Sequence, residues 1–189
     1  YTEHYSYTSK DADYQSLVKP SALINYFIQI AWMHAEKLGM GYSHLMEEKK
    51  AWVLSKFTLK LDHNPTWPGK LSIQTWPKRQ ERLFYLRDAV LLDENKKQFG
   101  AITSYWLVIE IHTKRPKLLE NIPEERYFKK DAIVEAPPSL KTSGEADFNM
   151  SYVVRYNDID VNHHLTTVRY LELMFDSFDL DFIQANKLT

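Results

Sequence analysis

The 189-residue sequence contains no cysteine, which excludes disulfides, thiolate metal sites and a cysteine nucleophile within these residues. Glycine is scarce, at five residues, and the sequence has neither a dinucleotide-binding fingerprint nor a Walker-type phosphate loop. The longest apolar runs fall far short of the roughly 20 residues that a membrane span requires. These absences remove several classes of enzyme and leave chemistry based on acids, amides and imidazoles.

The charges are nearly balanced, with a net charge of -1. Such a balance gives no general attraction to nucleic acid or to an anionic membrane, so neither is expected as a partner. Hydrophobic residues make up 44% of the chain and charged residues 26%, which is typical of a soluble globular protein. No signal-peptide pattern begins the chain. We therefore expect a cytoplasmic enzyme or binding protein.

A long apolar helix dominates the first part of the sequence. Pro20 suits its first turn and Gly39 its end, and the residues from 22 to 38 are apolar on most sides. A helix of this kind must be enclosed by other structure. The flanking segments have strand-like patterns, at residues 1–9, 51–62, 71–78, 82–93 and 98–113. One strand, a buried helix and four antiparallel strands predict an α+β hot-dog fold, in which a sheet wraps round a central helix.

A second unit is predicted after residue 113. Residues 114–146 are rich in proline and charge and are interpreted as a linker. Residues 147–155 are predicted to form a strand, followed by a helix from about Thr167, so the strand-then-helix order repeats. We therefore expect tandem hot-dog domains, the first over residues 1–113 and the second beginning at residues 147–189. A lone strand and helix cannot bury their apolar faces, so the second domain is expected to be incomplete in this chain.

The turn before the second helix carries Asp160, Asn162 and His164 at alternate positions. In an extended segment these three side chains project to the same side. The positive end of the next helix lies just beyond them. An acid, an amide and an imidazole at one spot predict general-base chemistry with stabilisation of a developing oxyanion.

Each of these residues also has a structural alternative. His164 could pack at a helix start, Asn162 could close an Asx turn, and Asp160 could be a helix N-terminal charge. Turn chemistry accounts fully for Asp158, which we leave out of the catalytic set. His163 should point away from His164, and we expect it to be structural or exposed. No metal or cofactor is expected.

Several spaced blocks resemble the acyl-acyl carrier protein thioesterases of plants and bacteria. The active-site turn of that family has the form D-x-D-x-N-x-H-x-N-N, which falls here on Asp158, Asp160, Asn162 and His164. The other blocks that resemble the family include Trp52, Asp62, Pro65, Thr66, Trp67, Thr75, Trp76, Arg87, Asp88, Thr113, Lys114, Arg115, Ile122, Pro123 and Arg126. The resemblance spans most of the chain.

The resemblance implies hydrolysis of fatty acyl-acyl carrier protein in fatty-acid biosynthesis, with Asp160, Asn162 and His164 as catalytic residues. It also implies a bacterial cytosol or a plastid stroma as the location. The family's asparagine pair after the histidine is Thr166 and Thr167 here, and threonine offers no amide. The family's remaining catalytic position, Cys or Glu, lies beyond residue 189. A hot-dog acyl-coenzyme A thioesterase and a non-catalytic acyl-binding protein are the alternatives.

Basic residues give a candidate docking surface for the acidic carrier protein that the resemblance implies. The first candidate is the cluster of Lys78, Arg79, Arg82 and Arg87. A solvated strand end is its structural alternative, and Lys114, Arg115 and Lys117 form an equally plausible surface. A homodimer is also possible.

Overall fold

A computed structural model describes residues 1–119, 122, 127–128, 130–133, 135–138 and 149–186. Its elements, in chain order, are β1 (Thr2–Ser6), α1 (Pro20–Lys37), α2 (Tyr42–Glu47), β2 (Lys50–Leu61), β3 (Lys70–Glu81), β4 (Phe84–Leu92), β5 (Gln98–Glu110), β6 (Pro116–Lys117), a 3₁₀ turn (Tyr156–Asp158), α3 (Thr167–Asp176) and α4 (Leu180–Ala185).

The five long strands form one antiparallel sheet in the order β1-β3-β4-β5-β2, and β6 pairs with the outer part of β5. The register shifts between Leu54 and Lys56 in β2 and between Pro77 and Arg79 in β3. Shifts of this kind bend a strand and re-aim the side chain at the bulge. The sheet encloses α1, as the predicted hot-dog fold requires.

Helix α1 is the centre of the core. Leu23, Ile24, Phe27 and Ile30 are fully buried, and burial of each such side chain contributes about 1.5–3 kcal/mol. The helix ends at Lys37 and is capped at Gly39, whose φ of 71° is easily adopted by a residue without Cβ. There the N–H of Gly39 donates to the carbonyl of Glu36 and the N–H of Met40 to that of Ala35, a Schellman cap. The predicted buried helix is confirmed.

Residues 127–128 and 130–133 are here called the return segment, and residues 130–133 of it cover the outer face of the sheet at Trp76 and Asp88. The N–H of Phe128 donates to the carbonyl of Pro77, and the indole N–H of Trp76 donates to the carbonyl of Lys130, both at 2.8 Å. The N–H of Ala132 donates to Asp88 Oδ2, also at 2.8 Å. Because β4 is covered on both faces, its residues from Tyr85 to Leu91 are all buried.

The predicted strand over residues 147–155 is wrong for its described part. Residues 149–155 pair with no strand of the described chain. Residues 147 and 148 lie outside the described residues, as does much of the predicted linker. Helix α3 begins at Thr167, as predicted. Its Leu171 packs against the core of the first unit.

Two short helices, α2 and α4, were not predicted, because six-residue helices carry little periodicity. No helix in the described part of the chain is long and apolar enough to cross a membrane.

Candidate active site

The turn between the 3₁₀ segment and α3 holds Asp160, Asn162 and His164. A bridge between Ile159 and Leu165 closes it. The N–H of Asp160 donates to the carbonyl of His164 at 2.9 Å. His163 has a φ of 60°, in the left-handed region. The expectation of an extended segment is therefore wrong, since the chain reverses within these residues.

The Asp160 carboxylate organises this turn. Its Oδ1 accepts the backbone N–H of Asn162 at 2.8 Å and that of His164 at 3.0 Å. Short polar side chains often bind nearby backbone in this way, in competition with regular structure. The carboxylate thus contacts the backbone of His164, and it holds both other candidate residues in place.

Asp158 anchors the turn to the rest of the chain. Its buried carboxylate accepts the Tyr152 hydroxyl and the Arg155 N–H, each at 2.6 Å, and pairs with Arg169 at 3.3 Å. The hydrogen bond from Tyr152 is the main reason that the pKa of Asp158 lies below its ordinary value. The backbone carbonyl of Asp158 accepts the N–H of Thr166. The Thr166 hydroxyl in turn caps α3 by accepting the N–H of Arg169. Asp158 therefore has a structural position, which agrees with its exclusion from the catalytic set.

The imidazole of His164 contacts a lysine from the first unit. Lys114 Nζ lies 3.4 Å from His164 Nε2. The turn between β5 and β6 presents this lysine, whose φ is 55°. His164 is half-buried, whereas His163 is exposed, so the two rings have the different environments that were expected. The contact with Lys114 was missed, although the sequence had marked this residue as part of a basic surface.

Asn162 borders a mostly apolar cavity next to α1. This cavity has a volume of about 280 Å³, including its part open to solvent, and is also lined by residues of α1, α2 and β2. A second, larger cavity, of about 490 Å³ measured in the same way, lies along α1 and the sheet. The two cavities share Trp32, Ala35 and Trp52 in their walls. The indole N–H of Trp52 donates to the carbonyl of Met40 at 2.8 Å, which fixes this ring in the shared wall.

The first predicted docking surface is wrong for Lys78 and Arg87. Lys78 is 4% exposed, because the bulge in β3 turns it onto Asp88 Oδ2 at 3.3 Å and onto Asp131. Arg87 is 8% exposed and lines the larger cavity. Arg79 and Arg82 are exposed, and Arg79 pairs with Glu81 at 2.6 Å.

The alternative basic surface remains open to solvent and borders the candidate site. Lys114, Arg115 and Lys117 are all exposed, and Lys114 is the residue that contacts His164. A cationic surface in this position lies where a negatively charged partner would approach the imidazole.

Burial controls the protonation of His34, which contacts Arg87 in the wall of the larger cavity. It is the main reason that the pKa of His34 falls to about 3, with the Arg87 guanidinium as the second cause. His34 is therefore neutral, and its Nδ1 accepts from Arg87 Nη1 at 3.0 Å. No group of three or more His, Asp or Glu side chains suitable for a metal ion occurs among the described residues.

The fold and the site together define a hot-dog protein with an acid–amide–imidazole turn beside an apolar cavity. Residues 1–127 match the model of the acyl-ACP thioesterase N-terminal domain, and residues 141–189 match that of the C-terminal domain. The chain belongs to the acyl-ACP thioesterase family.

Individual relatives have low sequence identity to this chain. A palmitoyl-acyl carrier protein thioesterase of Arabidopsis thaliana chloroplasts is 25% identical over 184 residues, which cover 88% of this chain and 44% of the relative. The corresponding protein of Gossypium hirsutum is 23% identical, with 100% of this chain and 49% of the relative covered. The chain thus spans about half the length of these relatives.

Solved structures show the same fold. An acyl-ACP thioesterase from Bacteroides thetaiotaomicron superposes with a TM-score of 0.86 at 29% identity, and 97% of this chain and 75% of that protein are covered. The 12:0-ACP thioesterase from Umbellularia californica gives a TM-score of 0.80 at 19% identity, with 97% of this chain and 76% of that protein covered.

Proposed function

We propose that the protein hydrolyses the thioester between a fatty acyl chain and acyl carrier protein, releasing free fatty acid. The observation that carries this proposal is the position of Asn162, which belongs to the same short turn as His164 and also lines the apolar cavity. A thioester carbonyl held at this turn would have its acyl chain in the cavity and its sulfur toward solvent. Membership in the acyl-ACP thioesterase family supports the same substrate class.

His164 is proposed as the general base. A neutral imidazole takes a proton from water at neutral pH, and the resulting hydroxide attacks the thioester carbonyl. The side-chain amide of Asn162 and the N-terminus of α3 would stabilise the negative charge on the carbonyl oxygen. Collapse of the tetrahedral intermediate breaks the carbon–sulfur bond, and the thiolate leaves and takes up the proton.

Asp160 is proposed as a positioning residue. Its carboxylate holds the N–H groups of Asn162 and His164 and so fixes the backbone from which both side chains project. A shift of about 1 Å in such groups can cost roughly 100-fold in rate. This role differs from direct contact with the imidazole ring.

The carrier protein is proposed to dock on Lys114, Arg115 and Lys117. This surface supplies three exposed cations, of which Lys114 contacts His164, and acyl carrier proteins are acidic as a class. Complementary charges mainly speed association and orient the partner. Arg79 and Arg82 are the second surface to test.

For the domain organisation we propose a first hot-dog unit over residues 1–113, a connection over 114–146 and the beginning of a second unit over 147–189. The return segment belongs to the connection in sequence but packs against the first unit. The bacterial cytosol or the plastid stroma is the proposed location, in keeping with relatives that are chloroplast proteins.

The direct test is hydrolysis of matched acyl-acyl carrier protein and acyl-coenzyme A substrates over several chain lengths. We expect a larger kcat/KM with the carrier protein. A preference for coenzyme A would assign the protein to the other thioesterase class, and binding without turnover would make it an acyl-binding protein.

A further inference from the structure

Arg87 brings a buried cation to the wall of the larger cavity. Its Nη1 donates to Thr75 Oγ1 at 3.3 Å and faces Nδ1 of the neutral His34 at 3.0 Å. Arg87 forms no ion pair with a described carboxylate. The adjacent Asp88 projects to the opposite face of β4, where it binds Lys78. Arg87 therefore enters the cavity with its positive charge uncompensated by the described residues.

Tyr127 brings a hydroxyl without a described partner to the same cavity. Its hydroxyl is buried and has no hydrogen-bond partner among the described residues. Burial raises the pKa of this hydroxyl, so it stays protonated and able to donate. Most of the remaining wall is apolar and includes Ala31, Met40, Leu86 and Trp106.

An alkyl chain can neither compensate the charge of Arg87 nor accept a hydrogen bond from Tyr127. A guanidinium and a phenol both donate hydrogen bonds, and a buried donor left without an acceptor is unfavourable. A few polar groups in an otherwise apolar pocket are the usual means by which a site fixes the orientation and identity of its ligand. A ligand oxygen would accept from the Tyr127 hydroxyl and would face the uncompensated charge of Arg87.

We infer that the cavity selects acyl chains that carry an oxygen acceptor, as an oxo group, a hydroxyl or a second carboxylate, which binds Arg87 and Tyr127. This inference deepens the proposed function and rests on it for the acyl nature of the ligand. A site built to bind an oxygen discriminates strongly against the analogue that lacks it, because the donors of the site are then left unpaired.

Binding of uncleavable analogues tests the inference. In these analogues NH replaces the thioester sulfur, and their chains have equal carbon counts: one saturated, a series with an oxo or hydroxyl group at successive positions, and one with a terminal carboxylate. Calorimetry should show the best oxygen-bearing chain binding at least about tenfold more tightly than the saturated chain. The carboxylate arm tells whether the positive charge or the hydrogen bond dominates.

Two variants test whether Tyr127 and Arg87 cause the preference for oxygen-bearing chains. Tyr127→Phe removes a hydroxyl without a described partner, so the fold should be retained while the preference for oxygen falls at least about threefold. Arg87→Met should remove most of the preference, and its unfolding midpoint is measured alongside. Tyr7→Phe is the matched control, because its buried hydroxyl also lacks a described partner but does not line this cavity.

Equal or tighter binding of the saturated chain by the unaltered protein would overturn the inference. So would an oxygen preference that both cavity variants leave unchanged. Oxygen-selective binding without hydrolysis of the corresponding thioesters would overturn the proposed function alone.

Discussion

Lys114 Nζ lies 3.4 Å from Nε2 of His164, a residue 50 positions later in the chain. The lysine comes from the turn that follows β5 of the first sheet, whereas the histidine precedes α3. The candidate site is therefore composite, since neither segment contains it alone.

Replacement of His164 by alanine should lower kcat by at least about 100-fold, because general-base catalysis contributes effects of this size. Binding of the uncleavable acyl analogue should be largely retained. His163→Ala is the control, since His163 is an exposed neighbour in the same turn. Equal losses in steady-state kinetics at both positions would refute the assignment.

Asn162→Ala should remove about 2–4 kcal/mol of transition-state stabilisation if its amide binds the developing oxyanion. The loss should appear in kcat more than in KM. An increase confined to KM would mean that Asn162 only positions the substrate in the cavity.

Asp160→Ala should loosen the active-site turn and lower kcat, because two backbone N–H groups lose their acceptor. Hydrogen exchange should accelerate at Asn162 and His164 while α1 stays protected.

Asp93→Ala is the matched control for Asp160. Its Oδ1 accepts two backbone N–H groups, of Asn95 and Lys97, in the same arrangement far along the chain from the site. It should lose local protection with little loss of kcat. If both variants reduce kcat alike, general destabilisation and not the site turn explains the effect.

Charge reversal at Arg115 and Lys117 should slow the reaction with acyl-acyl carrier protein while sparing the contact of Lys114 with His164. We expect a lower kcat/KM and a weaker salt dependence, because the variant loses the attraction that salt screens beyond about 10 Å at 0.1 M. Hydrolysis of a short uncharged thioester should change little. Reversal of Arg79 and Arg82 provides the comparison, and a larger effect there would move the docking surface to β3.

Acid should destabilise the protein partly through His34. Its pKa is about 3 in the folded state against an ordinary value of 6.5, so the unfolded chain binds a proton that the folded chain excludes. The stability from this group is complete above about pH 6.5 and decreases as the pH falls toward about 3. His34→Gln keeps an acceptor for Arg87 but does not titrate. Urea unfolding at about pH 7 and about pH 5 should show a smaller difference for this variant than for the unaltered protein.

The sequence predicted the fold correctly, but it did not predict which charged side chains are buried. The apolar periphery of α1 and the alternating strands predicted the hot-dog arrangement. Burial of Lys78 and Arg87 could not be predicted, because it depends on a bulge in β3 and on coverage of both faces of β4. Neither feature leaves a periodic signal in the sequence.

The sequence predicted which residues form the candidate site, but it did not predict the backbone conformation of the turn that carries them. The alternate spacing of Asp160, Asn162 and His164 suggested an extended segment, whereas the Asp160 carboxylate folds the backbone into a turn. Local side-chain hydrogen bonds outweighed the strand pattern here. The contact between Lys114 and His164 depends on the tertiary fold and has no local signature.

The return segment determines where a separately expressed fragment of the first unit can end. It is joined to the sheet at Pro77, Trp76 and Asp88, and its Asp131 pairs with the buried Lys78. A fragment cut after residue 113 would contain every long strand and α1, yet it would leave the Lys78–Asp88 pair and the indole of Trp76 facing water. A fragment that extends past residue 133 retains these partners. Engineering of the first domain should therefore begin from the longer piece, since the end of the sheet is not the end of the folding unit.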